Sequence, residues 1–251
     1  TLPRNTSSPI GGLGSFFVLD SNLNIDSKQD MVMIGRIGGS SSSSRSEMLS
    51  LTDDILSFAS SISAKDVRTN SDIDSLIDSS SIADYLELKP RDVKALFKLV
   101  NENIPLMISS NRASDILKLI ELKKKYNLNL IIMGAQEATL VSRQIADSKI
   151  PLVVNPINNI PHSFDELAAN KNLSSRLEKA GVLMMFNYGS HNTHLMRQGA
   201  GIAVANGMSY GGAIRALTSN VASSFNLENR GSISPGKAAD LVIWEADPFE
   251  P

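Results

Sequence analysis

The chain has no cysteine in its 251 residues. That excludes disulfides and thiolate metal sites, and it leaves the compartment open, because a disulfide-free protein can work on either side of a membrane. Histidine is nearly as scarce, limited to His162, His191 and His194. Neither sign of charge is in excess: 24 basic and 26 acidic residues give a formal net charge of -2. No long-range field therefore favours nucleic acid or an anionic membrane, and neither partner is implied. No apolar run reaches the roughly 18 residues of a membrane-spanning helix. Residues 1–9 (TLPRNTSSP) lack the apolar core of a signal peptide.

What is present is a globular composition. With 42% hydrophobic residues the chain can bury a sizeable core, as one α/β barrel or as two smaller domains. Residues 1–12 read as a Ser/Pro/Gly-rich loop. Ser15–Asp20 (SFFVLD) and Met31–Ile37 (MVMIGRI) are apolar runs of strand length, with a polar, turn-like stretch from Asn22 to Asp30 between them. Gly38–Arg45 (GGSSSSSR) reads as a loop, since a phosphate cradle would need a lysine at P-loop spacing. From Ser46 helical spacing of Met48, Leu49, Leu51, Ile55, Leu56 and Ala59 sets in. Residues 60–80 read as loop or short helical turns, and Lys89-Pro90 opens a helix with Val93, Leu96, Phe97 and Val100 on one face.

Beyond Pro105 the pattern is regular. Strands are expected at Pro105–Ser109, Leu128–Met133, Ile150–Asn155 and Val182–Phe186, and helices at Arg112–Tyr126, Gln136–Asp147, Ser163–Ala180 and Asn192–Asn206. Apolar strands alternating with amphipathic helices argue for a parallel sheet covered on both faces. Four such units in succession fit a (β/α)8 barrel better than an open sheet.

The C-terminal stretch, AIRALTSNVASSFNLENRGSISPGKAADLVIWEADPFEP from Ala213, resembles the end of an amidohydrolase-superfamily chain, where the last barrel helix hands over to strands of a small β-sandwich. PLMISSNRASDI, NLNLIIMGAQEA, PLVVNPINNIP and GVLMMFNYGSHNTHL resemble the last four strand ends of an imidazolonepropionase-like member. The resemblance implies an incomplete TIM-type barrel over residues 1–225, lacking about a hundred residues upstream, and sandwich strands over 226–251, Ala239–Glu245 among them. It further implies a zinc or other divalent metal bound at the strand ends. This chain departs from that pattern. It has Ser109 where the fifth strand would offer a histidine, Met133 where the sixth would, and Gly189 near the position of an eighth-strand aspartate. It has no His-x-His either, so on its own it can hold no complete metal site of that kind.

The polar residues near the expected strand ends are the site candidates. For catalysis these are His191, Asn192, Glu137 and Arg112, and for substrate contact Asn155 and Ser109. His191 and His194 are three apart, share a face if helical, and could hold a metal in part. Each has a plainer use: Glu137 and Asp115 as carboxylates at helix starts, His191 and Asn192 in capping or structure, His162 as a surface residue. Two functions stand. One is a hydrolase acting, in the intact protein, on the C–N bond of an amide, cyclic amide or dipeptide-like small molecule. The other is a non-catalytic binding or scaffold protein on the same fold. Unpaired sandwich edges would suit a homo-oligomer.

Overall fold

The computed structural model describes residues 9–19, 22–39, 44–188 and 192–250. Six strands form one sheet in chain order: β1 (Ile10–Leu19), β2 (Ile25–Arg36), β3 (Leu106–Ser110), β4 (Leu130–Gly134), β5 (Leu152–Val154) and β6 (Met184–Phe186). β1 and β2 are an antiparallel hairpin, whereas β4, β5 and β6 pair in parallel. An α/β sheet with helices between successive strands from β2 onward matches the expectation of an incomplete TIM-type barrel. By compactness the chain divides into two units, Thr1–Ile108 with Glu121–Leu130, and Ser109–Ile120 with Ile131–Pro251.

The first unit holds the hairpin and four helices, α1 (Arg45–Ser61), α2 (Asn70–Asp78), α3 (Ser81–Tyr85) and α4 (Pro90–Asn101). β1 begins at Ile10 and β2 at Ile25, so the hairpin takes in residues that read as loop and turn. Backbone pairing such as Phe17 with Ser27 continues through the polar stretch, because the ladder joins main-chain groups whatever the side chains are. Helix starts follow local chemistry. Ser44 Oγ accepts from Glu47 N (3.2 Å) while Ser44 N donates to Glu47 Oε2 (3.3 Å), a reciprocal cap that fixes the start of α1. In α4, Pro90 occupies the first turn, and Val93, Leu96 and Leu99 are buried while Phe97 and Val100 are half-buried.

Lys125 Nζ and Tyr126 Oη both donate to Asp53 Oδ1, at 2.7 and 2.8 Å. The hydrogen bond from Lys125 holds the Asp53 carboxyl below its ordinary range, and in return the Lys125 ammonium is pushed up to about 12. A depressed carboxyl stabilises the fold above its unfolded pKa, and that contribution fades as pH falls through the depressed value. NMR titration is expected to show the Asp53 midpoint below the usual aspartate value and moving up in Lys125→Met; an unmoved midpoint would contradict the assigned cause.

The second unit begins with the end of β3 and the first turns of α5 (Ala113–Tyr126), whose Ile116, Leu119 and Ile120 are buried. It continues through α6 (Ser142–Asp147), α7 (Leu173–Lys179), α8 (Met196–Ala205), α9 (Tyr210–Leu217) and α10 (Ser219–Ser224). Two expected helices are shorter than their periodicity suggests. Residues 136–147 form a 3-10 turn at Ala138–Leu140 followed by α6, and 163–172 form turns ahead of α7. In the second case side chains capture the backbone: Ser163 Oγ accepts from Asp165 N and Asn170 Oδ1 from Asn172 N, bonds that compete with a helix ladder.

The described residues of 226–250 contain no strand, so the expected sandwich strand at Ala239–Glu245 is not formed. Leu241, Val242 and Trp244 are exposed and Ile243 is 95% exposed. A strand needs a ladder partner, and none of the described strands pairs with this segment. The tail is held by side chains instead. Arg197 donates to Pro248 O (2.7 Å) and Glu250 O (2.9 Å) and lies 5.0 Å from the centre of the Trp244 ring. Phe249 packs on Tyr210 at 4.7 Å between ring centres, and a Cβ on Gly201 would collide with Phe249 O. Trp244 is the only tryptophan, so Arg197→Ala is expected to shift emission toward that of free indole; an unchanged spectrum would show that Arg197 does not hold the tail. Among the described residues no helix is long and apolar enough to cross a membrane.

Candidate functional site at the strand ends

The exits of β3 and β4 run side by side. Ala135 N donates to Ser110 O and Glu137 N to Asn111 O, each at 2.9 Å. The chain can turn there because Gly134 and Ala135 both adopt left-handed backbone, with φ of 90° and 51°. Gly134 is required twice over, since a Cβ at that position would also collide with Asn111 Oδ1.

Glu137, only 8% exposed, follows this turn. Its Oε2 accepts from Ala113 N (3.1 Å), the first residue of α5, and its Oε1 from Ala168 N (3.2 Å). A buried carboxylate between two main-chain amides, one at a helix start, is a strong tether. Asn111 Nδ2 donates to Glu166 Oε1 (2.7 Å), and His162 N donates to Glu166 Oε2 (3.2 Å). Gln136 Nε2 donates to Asn158 O (3.0 Å). Just past β5, Asn155 Oδ1 accepts from Ile157 N (2.9 Å) and Asn158 N (3.3 Å), which shapes the turn, and Asn159 Nδ2 donates to Pro156 O (3.1 Å).

Of the residues singled out in the sequence, Ser109, Glu137 and Asn155 lie at the exits of β3, β4 and β5. Ser109 is half-buried. Arg112 is exposed, and its carbonyl accepts from Asp115 N and Ile116 N, both at 3.1 Å, at the start of α5. Asp115 is 2% exposed in the first turn. Asn192 is exposed, and its carbonyl accepts from Leu195 N at the 3-10 turn Thr193–Leu195, which carries the exposed His194. His162 is exposed. His191, with Gly189 and Ser190, lies outside the described residues. The structure adds four residues that the sequence reading passed over, Asn111, Gln136, Asn159 and Glu166. Asn111 and Gln136 closely follow apolar strand runs, which is a signal of place but not of chemistry, whereas Asn159 and Glu166 lie further along the segment after β5.

The donor set at these exits does not fit a catalytic zinc or other divalent ion. Among the described residues no three His, Asp or Glu side chains are placed to hold a metal. The Glu137 oxygens are engaged by amides, and Ser109 and Met133 offer a hydroxyl and a thioether where zinc takes imidazole or carboxylate.

A family model described as the amidohydrolase family matches residues 181–250. Among solved structures, an amidohydrolase from Thermotoga maritima MSB8 shares the fold with a TM-score of 0.77 at 23% identity, covering 98% of this chain and 66% of that one. An uncharacterized metal-dependent hydrolase from Pyrococcus furiosus has a TM-score of 0.48 at 14% identity, covering 63% of this chain and 36% of that one. The chain thus spans just under two thirds of the first structure's length and about a third of the second's. No curated protein matches. Residues 181–250 thus match the amidohydrolase family model, and the chain shares the fold of a solved amidohydrolase.

Proposed function

We propose that this chain provides the substrate-facing strand ends of an imidazolonepropionase-like, metal-dependent hydrolase that acts on the C–N bond of an amide, cyclic amide or dipeptide-like molecule. By itself, on this reading, it binds such a molecule without hydrolysing it. Support for the first part comes from the family match and the shared fold, whose strand exits are where barrel enzymes place their chemistry. The observation that carries the second part is Glu137: the best-placed carboxylate at the exits is occupied by Ala113 N and Ala168 N. Attack on an unactivated amide takes an activated water, which a bound metal commonly supplies. Any such ion would have to draw its ligands from beyond the described exits. Within this reading Ser109, Asn155, Arg112 and Asn192 are substrate contacts, and His191 and His194 are at most a partial metal pair.

A second reading, a binding or scaffold protein with no hydrolytic role, is favoured by Ser109 and Met133 at the positions where the resemblance expects ligands. Elemental analysis and an assay against N-acyl amino acids, hydantoins and dipeptides test the proposal on the purified chain. Far less than one divalent ion per chain and no turnover are expected. A stoichiometric ion with hydrolysis would overturn the proposal that this chain only binds. A longer chain that also lacks metal and turnover would favour the second reading.

A further inference from the structure

Residues 155–172, between β5 and α7, form no helix or strand, yet three hydrogen bonds tie them to the exits of β3 and β4. These are Gln136 Nε2 to Asn158 O (3.0 Å), Asn111 Nδ2 to Glu166 Oε1 (2.7 Å) and Ala168 N to Glu137 Oε1 (3.2 Å). Ile160, Phe164 and Leu167 in the same segment are exposed. The segment is therefore held by polar tethers more than by core packing.

At the same exits four buried polar atoms have no hydrogen-bond partner among the described residues: Ser110 Oγ, Asn111 Oδ1, Gln136 Oε1 and Asn159 Oδ1. Ser110, Gln136 and Asn159 are 2%, 7% and 3% exposed. Which end of each amide is free follows from the bond made by the other end. Asn111 Nδ2 faces a carboxylate, Gln136 Nε2 a carbonyl and Asn159 Nδ2 the carbonyl of Pro156, all of them acceptors. Flipping any of the three would set oxygen against oxygen, so the free ends are oxygens. Buried acceptors without donors forfeit hydration and gain nothing in return, which weakens the closed arrangement. With Glu137 and Glu166 alongside, an anionic ligand would meet lone pairs and like charge, whereas N–H groups would complete the set.

We propose that residues 155–172 are a lid over the exits of β3 and β4, and that it closes on a small molecule that presents N–H donors and carries no anionic group, pairing the free oxygens of Ser110, Asn111, Gln136 and Asn159. The inference rests on reading these exits as the binding face, and it narrows that reading to amides and cyclic amides without a carboxylate, setting aside dipeptides and N-acyl amino acids. Hydrogen exchange on the full chain tests it, with methylguanidinium, N-methylurea, acetate and inorganic phosphate as probes. The His162 and Ala168 amides are expected to exchange roughly 100-fold faster than the Ile132 amide of β4, through local opening. Methylguanidinium or N-methylurea at ten times its Kd should slow them about tenfold, and acetate and phosphate should not. Asn159→Leu should abolish the slowing while leaving Ile132 exchange unchanged.

Lid amides exchanging in step with Ile132 would overturn the lid. Equal slowing by acetate or phosphate, or slowing that survives in Asn159→Leu, would overturn the ligand class. No slowing by any probe would overturn the ligand and leave buried water as the partner of the four atoms. Slowing confined to another part of the chain would reject the exits as the binding face, a failure distinct from the others.

Discussion

Gly134→Ala is expected to destabilise the protein by about 3 kcal/mol, which for a chain of this size lowers the melting temperature by about 6–12 °C. Two costs add. An L-residue held at the φ of 90° is strained by about 1–2 kcal/mol. The new methyl group would also displace Asn111 Oδ1, and the side chain cannot withdraw without giving up its 2.7 Å bond to Glu166. Losing that bond to a charged group adds about 1.5–3 kcal/mol. Calorimetric or circular-dichroism melting measures the sum. A melting point within about 2 °C of wild type, less than the shift of 1 kcal/mol, would mean that the β4 exit relaxes freely and that its turn is not a built feature.

Glu137 carries the second large effect, and here the sign discriminates between roles. As a tether its carboxylate satisfies two main-chain amides. Glu137→Ala strands both in a buried place and is expected to cost about 3–4 kcal/mol. Glu137→Gln keeps one acceptor oxygen, so about half that loss is expected. A carboxylate reserved for chemistry behaves in the opposite way, because residues kept for function are commonly held at a cost to stability and their removal is neutral or stabilising. Urea denaturation of both variants with unchanged m-values gives the comparison directly. Stability equal to or above wild type in Glu137→Ala would return Glu137 to the list of reacting groups.

Much of this fold is readable in the residues. The helices at Arg45–Ser61, Pro90–Asn101 and Ala113–Tyr126 and the strands β3 and β4 combine periodicity with local start signals such as Ser44, Pro90 and the turn after Asn127. Where the reading and the structure differ, non-local bonds act beside the local side-chain captures at Ser163 and Asn170. Gln136 and Glu137 have helical composition, but the Ala135 and Glu137 amides bond to Ser110 O and Asn111 O, carbonyls about 25 residues earlier in sequence. Ala168 likewise donates to Glu137 and not to the helix that its neighbours suggest. Ala239–Glu245 has strand composition, yet a ladder needs two partners, and β-propensity cannot name the second.

The candidate site was legible in place but not in role. Glu137 and Asn155 were marked because they follow apolar runs, and both lie at strand exits. That the Glu137 oxygens are taken up by main-chain amides depends on the paths of the 155–172 segment and of α5, which no local pattern encodes, whereas the Asn155 oxygen is taken up locally by Ile157 N and Asn158 N. Asn111, Gln136 and Asn159 were passed over because neutral amides carry no signature of chemistry, although they supply three of the four unpaired oxygens there.

A crystal structure of the chain grown with zinc in excess tests most directly whether the exits of β3, β4 and β5 form a neutral hydrogen-bonding face and not a metal centre. The prediction is that both Glu137 oxygens stay on the Ala113 and Ala168 amides and that no anomalous peak appears within coordinating distance of Ser109, Glu137 or Asn155. A fully occupied zinc bound there, with Glu137 rotated away from those amides to ligate it, would contradict the account.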